Sequence, residues 1–259
     1  MSIFNYSAFT YGHTTTENNQ WINFSENGVD ELSAQLPIGS VTLDNYANRV
    51  AQAMNEVGTL NYTCTVNRET LKLTIQGDSE FELYVTNGTN VSISAYGLMG
   101  FTTNRSGASS YESDVISGFV YEPQTPLQRY VDFQDNVRSN QSSVNESASG
   151  VVEVVSFGQV ETMECEIPLI TDITPQLYIK ENSNGVSDAR NFLIYAITKS
   201  PIEFIPNYTN GNKANNITEC ILESTPEDRN GTAFKLKEQY ARKLVGYYTT
   251  GLLTFRKLK

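Results

Sequence analysis

A chain of 259 residues with a formal net charge of −11 can bury one large core or two of moderate size, and its negative field argues against gripping a phosphate backbone through a general basic surface. Hydrophobic residues make up only 39%, with Asn, Thr, Ser and Tyr supplying the difference, a balance common in β-rich surface proteins. No apolar run approaches the roughly 18 residues that span a bilayer, and the opening MSIFNYSAFTYGHTTT has neither a basic n-region nor an apolar h-region, so neither a membrane span nor a secretory signal is expected.

The clearest folding signals lie between Leu36 and Phe101. Pro37 and Gly39 punctuate the entry, and Thr42 or Asp44 can cap a helix. Tyr46, Val50, Met54 and Val57 then recur at helical spacing with Ala47 and Ala51 beside them, and Gly58 stops the stripe. The period next drops to two. Tyr62, Cys64 and Val66, then Leu71, Leu73 and Ile75, then Phe81, Leu83 and Val85 predict three half-buried strands with turns at Asn67–Thr70 and Gly77–Glu80. A helix laid on one face of a small antiparallel sheet satisfies both patterns.

Beyond Phe101 the chain reads as a connector and a second module. Thr102–Tyr111 is polar and turn-rich, YEPQTPLQRYVDFQDN carries two prolines, and Arg138–Gly150 is the segment most prone to disorder. Strands resume at Val151–Phe157 and at Met163, Cys165, Ile167 and Leu169, with Pro168 placed on an edge or bulge. A helix is predicted near Ser187–Ser200, capped by Ser187 or Asp188, striped by Phe192, Leu193, Ala196 and Ile197, and ended by Pro201. Strands at Ile202–Ile205 and Ile217–Leu222, a helix at Phe234–Leu244 and a closing strand in GLLTFRKLK complete the pass. The expected fold is α+β and β-rich: a helix-on-sheet module over 1–115, a connector with a flexible loop over 116–150, and a second β-rich module with one or two helices over 151–259.

The chemistry is sparse. His13 is the one histidine, with no Cys or carboxylate at ligand spacing, and there is neither a G-x-S-x-G elbow nor a phosphate-binding Gly-rich loop. No cofactor, metal or catalytic residue is therefore expected, nor an enzyme. The best carboxylate cluster is Glu161, Glu164 and Glu166, the last two on one strand face. A solvated face explains them, while a calcium or glycosidase site would need Glu31, Asp132 or Asp135 from elsewhere. Cys64, Cys165 and Cys220 are odd in number and widely spaced, which fits buried thiols in a reducing compartment; the Asn-x-Ser/Thr sequons, Asn61, Asn87, Asn90, Asn145, Asn207 and Asn216 among them, follow from the abundance of those residues. Charge is uneven. Residues 235–259 carry +6 and the rest −17, so Lys235, Lys237, Arg242, Lys243, Arg256 and Lys257, with the Tyr247–Tyr248 pair, either pack beside the chain's own acidic surface or form an edge that meets an acidic neighbour. Exposed tyrosines and Trp21 leave a sugar-binding surface open as an alternative.

Two stretches resemble a family of tailed-bacteriophage virion proteins. The first runs NNQWINFSENGVDELSAQLPIGSVTLDNYANRVAQAMNEVG…YTCTVNRETLKLTI…FELYV…LMGF, in which a G-x-(Y/V)-(T/S) entry leads to a helix, a meander and an LLGF-like turn, here Leu98-Met99-Gly100-Phe101. The second, SDARNFLIYAITKSPIEFIPNYTN…CILESTPEDRNGTAFKLKEQYARKLVGYYTTGLLTFRKL, is similar to the end of phage tail proteins that finish on G-x-L-x-F-R. The resemblance implies a non-enzymatic distal-tail or baseplate subunit. It implies copies of itself in a threefold or sixfold ring, contact with the tail tube or hub, and virion localisation after folding in the bacterial cytoplasm. A capsid- or neck-associated virion protein and a carbohydrate-binding adhesin are the alternatives. Neither nucleic acid nor membrane is an expected partner.

Overall fold

The Tyr62–Asn67 and Lys72–Leu83 strands form an antiparallel pair around a turn that the sequence sets. Asn67 Oδ1 accepts the Glu69 and Thr70 amides at 3.0 and 3.3 Å, its carbonyl accepts the Leu71 amide at 2.7 Å, and Leu71 takes a positive φ of 56°. The structure is a computed structural model that describes residues 6–123, 125–133, 137–139, 142–150, 152–156, 159–168, 170, 189–224, 237–238 and 248–258. It is α+β and β-rich, with several antiparallel sheets.

The first sheet orders Leu32–Gln35, Trp21–Ser25, Lys72–Leu83 and Tyr62–Asn67, with Arg105–Glu112 also on Lys72–Leu83. Helix α1, Leu43–Val57, lies over it and buries Leu43, Tyr46, Ala47, Val50, Ala53 and Met54. The stripe thus turns towards Ala53, leaving Val57 40% exposed. Gly58 ends α1 with an extended φ of −84°, so its absent side chain matters for space: a Cβ there would lie 2.5 Å from Glu26 Oε1 and 3.0 Å from Tyr62 Cε2. Glu26 is a clamp on that exit. Its carboxylate accepts the Thr59 amide at 2.8 Å, the Leu60 amide at 3.0 Å, the Thr59 hydroxyl at 2.6 Å and the Tyr62 hydroxyl at 3.1 Å. Partial burial works against the charge, but these donors hold its pKa below the usual carboxylate value. The unfolded chain therefore takes up the proton first, and the clamp's contribution is complete above pH 4.5 and lost below it. Glu26→Gln is expected to cost about 1–2 kcal/mol at pH 7 and much less near pH 3, measured by urea unfolding at both pH values.

Several loops expected from composition are strands. Lys72–Leu83 runs unbroken through Gly77–Glu80, and a register shift between Gln76 and Phe81 absorbs the polar residues as a bulge rather than a turn. Arg105–Glu112 buries only Tyr111, so it shows no apolar alternation; the Tyr111 hydroxyl bonds Phe81 O at 2.7 Å and receives the Ala108 amide at 2.8 Å. Within Arg138–Gly150, Ser142–Glu146 pairs with Val152–Ser156 as a hairpin closed by Gly150 N on Ser147 O. Lys237–Glu238, the described part of the expected Phe234–Leu244 helix, pairs as a strand with Tyr248–Thr249. The Leu98–Phe101 turn is the end of a short helix α2, Tyr96–Met99, closed by bonds from Gly100 N to Gly97 O and from Phe101 N to Tyr96 O. Gly100 has φ +86°, and a Cβ there would sit 2.3 Å from Val115 O.

The second sheet is antiparallel and eight-stranded, in the order Gln128–Val131, Gln159–Glu166, Leu252–Lys257, Thr218–Ser224, Ile202–Ile205, Ala8–Tyr11 and Phe119–Tyr121, with Val137–Ser139 also on Gln159–Glu166. It is strongly curled. Adjacent strands lie about 4.8 Å apart, so Gln128–Val131 and Ile202–Ile205 would be some 19 Å apart in a flat sheet. The Arg129 guanidinium nonetheless lies 5.9 Å from the Phe204 ring centroid. Helix α3, Ala189–Ala196, fills the hollow with Phe192, whose ring meets Phe9, Tyr11 and Tyr121 at 4.7, 5.5 and 4.9 Å. The expected cap residues Ser187 and Asp188 lie outside the described residues, as does Leu169; Pro168 follows the strand rather than interrupting it. Ala8–Tyr11 and Phe119–Tyr121 are neighbours in this sheet, with Tyr11 opposite Phe119, so residues 12–118 are inserted between two adjacent strands. The segment 1–115 thus gives its first strand to the second sheet.

Candidate functional site

The carboxylates singled out in the sequence are engaged by their own chain. Glu164 and Glu166 share a strand face opposite buried Met163 and Cys165. Glu161 takes Lys257 Nζ at 2.6 Å, and Glu166 takes the Tyr130 hydroxyl at 3.0 Å and the Thr249 hydroxyl. Asp132 takes Arg129 at 3.1 Å. Glu31 lies in the other sheet's periphery, where it receives the Thr89 amide at 2.8 Å and the Asn23 amide group. Asp135 lies outside the described residues. Among the described residues no group of three or more His, Cys, Asp or Glu is placed to hold a metal ion, and no helix is long and apolar enough to cross a membrane. Trp21 is half-buried in its strand.

The basic C-terminal set is described only in part. Lys235, Arg242, Lys243 and Tyr247 lie outside the described residues, and Lys237 is described by its backbone alone. Tyr248 is half-buried and exchanges backbone bonds of 2.7 and 2.9 Å with Ile170. Arg256 is half-buried on Leu252–Lys257, opposite Thr162 and Ile221. Lys257 is 44% exposed and turned to Glu161, an internal pairing of basic end with acidic body.

The densest polar constellation was not expected from the sequence. It forms where the inserted unit meets the eight-stranded sheet. Glu203 and Glu219 face each other across neighbouring strands, a like-charged pair that is unfavourable unless each finds a donor. Each finds one in the inserted unit. Arg68, in the Asn67–Thr70 turn, forks onto Glu203 with bonds of 2.7 and 3.2 Å, and Thr42, at the start of α1, bonds Glu219 at 2.6 Å. Thr10 adds a 2.7 Å bond to Glu203, Asp44 pairs with Arg68 from the solvent side, and Ser200 meets Ser40 at 3.2 Å. Thr42 is thereby diverted from capping α1 with its side chain. The Glu203 side chain is only 2% exposed. Its one sequence signal is a carboxylate inside the apolar run Ile202–Ile205.

His13 borders this junction. The Ser117 hydroxyl lies 3.2 Å from His13 Nε2 and 3.0 Å from Leu98 O, so it joins the imidazole to the inserted unit's backbone. Burial drives the His13 pKa down to about 4, against the pull of Glu203. The three cysteines are free and buried, and burial pushes the Cys64 and Cys165 thiols up to about 12.

The class this architecture defines is a β-rich α+β protein. No protein-family model matches the chain, and no curated protein matches it.

Proposed function

We propose that the chain is a non-enzymatic structural subunit of a tailed-phage virion, a ring-forming distal-tail or baseplate component that links the tail tube to the tail tip. The supporting observation is that the groups nominated for chemistry serve the scaffold: Glu161 with Lys257, Glu166 with Tyr130 and Thr249, Asp132 with Arg129, and His13 with Ser117. A subunit that works by shape spends its polar groups in this way. Heterologous, head-to-tail contacts close into rings when the rotation between copies permits it. The charge along the sequence, −17 over residues 1–234 and +6 over residues 235–259, suits such contacts, with Lys235, Lys237, Arg242, Lys243, Tyr247, Tyr248, Arg256 and Lys257 as the candidate basic set. Free, buried thiols fit folding in a reducing cytoplasm.

Light scattering at about 0.1 M and about 1 M salt tests the contact, because exposed charge pairs are screened as salt rises. A larger assembly at low salt is expected, and a monomer under every condition would count against the ring. Electron microscopy of particles carrying a labelled subunit then places it. Density at the tail end is expected; density at the neck or capsid would assign the alternative.

A further inference from the structure

We propose that residues 12–118 form a hinged unit, carried on a two-stranded neck and latched shut by Arg68 on Glu203. The inference stands apart from the virion reading, since it uses only the topology and contacts of a single chain.

The chain passes between the two units only twice, at Gly12 and at Gly118. The two crossings lie side by side, because Tyr11 and Phe119 are register partners. Each holds one glycine in the left-handed region, Gly12 at φ +97° and Gly118 at φ +67°. Each glycine also packs against a ring of the other crossing. A Cβ on Gly12 would lie 2.5 Å from Phe119 Cδ2, and one on Gly118 would lie 2.6 Å from the His13 ring and 2.7 Å from Tyr11 O. A residue without a side chain is the one that can change φ and ψ widely at such a point. Two at the same level make a neck that bends as one.

The contact beyond the neck is of the kind that opens. Each unit has its own apolar core, and among the described residues Val120 and Tyr208 are those of the carrier sheet's unit that reach the inserted one. Val120 sits at the neck itself, where bending displaces little. Tyr208 apart, the contact among the described residues is polar: Thr42 with Glu219, Ser40 with Ser200, the Gly211 amide with Glu69 at 3.0 Å, and Lys213 Nζ with Glu69 O at 3.1 Å. Water can replace each of these bonds, whereas it cannot replace a core, and polar contacts between units favour relative motion. The forked Arg68–Glu203 pair differs from the rest. It is buried and bidentate, and it spans 135 residues of sequence, so it is the contact that holds the unit closed.

The test uses the full chain with spin labels on cysteines placed at Val29, 83% exposed on the inserted unit, and Leu252, 42% exposed on the carrier sheet. The native cysteines are buried. One narrow distance is expected in the parent, and in Arg68→Gln a second, longer population at least about tenfold above any in the parent. Hydrogen exchange at residues 68–70 and 209–213 should quicken more than in Tyr62–Asn67 and Leu252–Lys257. An unchanged distance distribution, or both cores loosening together, would overturn the hinge. A crosslink from Ser40→Cys with Ser200→Cys gives an independent reading. Once oxidised, it should slow amide exchange at 67–70 and 209–213, and unchanged exchange there would overturn the proposal even if Arg68→Gln does not fold.

Discussion

Lowering the pH from 7 to 4 is expected to remove about 3 kcal/mol of stability through His13 alone. The folded ring takes a proton only near pH 4, whereas an unfolded histidine does so at 6.5, and the gap converts at about 1.36 kcal/mol per tenfold change. Because the folded value is the lower one, the unfolded chain binds the proton first. The contribution is intact above pH 6.5, is lost progressively through the interval down to 4, and falls no further below it. The leading cause is burial. The imidazole is enclosed by Tyr46 of α1, by Ser117 and by Gly118 of the neck, with Glu203 favouring the charged form and Arg68 opposing it. His13→Gln keeps a donor for Ser117 and removes the titration. Urea unfolding at pH 7 and 4.5 should show the parent losing at least about 2 kcal/mol more than the variant. Equal losses would mean that His13 is hydrated in solution.

Arg68→Ala should be the most damaging single change at the junction, at about 3–5 kcal/mol. It leaves the Glu203 carboxylate buried, opposite Glu219, with Thr10 as its remaining donor. Most of that cost belongs to the stranded charge rather than to the lost attraction. Arg68→Ala combined with Glu203→Leu should therefore be more stable than Arg68→Ala alone, and a double-mutant cycle in urea measures the coupling. Asp44, 58% exposed on the far side of the same guanidinium, provides the contrast. Asp44→Ala should cost under about 1 kcal/mol, because water screens an exposed pair. A cycle with no coupling between Arg68 and Glu203 would remove the pair from the account of the junction.

What could be read from the sequence was whatever had a period, an apolar run or a turn residue. Helix α1 showed its 3.6-residue stripe, Ile202–Ile205 and Leu252–Lys257 their compact apolar runs, and the Asn67–Thr70 turn its Asn. Ala8–Tyr11 showed neither a period nor a strongly apolar run, since Ala and Thr make up half of it, and it stood in a Gly- and Thr-rich opening. Arg105–Glu112 failed for the opposite reason, with one buried residue and a polar surface. The junction was hidden by context. Arg68 lies in a predicted turn and Glu203 within a predicted strand, and only the insertion of one unit between adjacent strands of the other brings them together. The carboxylates with visible spacing, Glu161, Glu164 and Glu166, lie on an outer strand face.

That insertion also orders events during synthesis. The strand Ala8–Tyr11 leaves the ribosome first, but its partners Phe119–Tyr121 and Ile202–Ile205 come much later, and Thr10 meets Glu203 across 193 residues. The ladders of residues 12–118 need nothing from outside that span. The inserted unit can therefore fold while the strand before it still waits, with Ala8, Phe9 and Tyr11 uncovered and its edges unpaired. Closing contacts so distant in sequence is slow, and an open edge is prone to pair with the wrong chain in the interval. Leu252–Lys257, made after both of its neighbours, lies between Gln159–Glu166 and Thr218–Ser224 and joins them. An exposed interval thus falls during translation, between the completion of the inserted unit and the arrival of Leu252–Lys257.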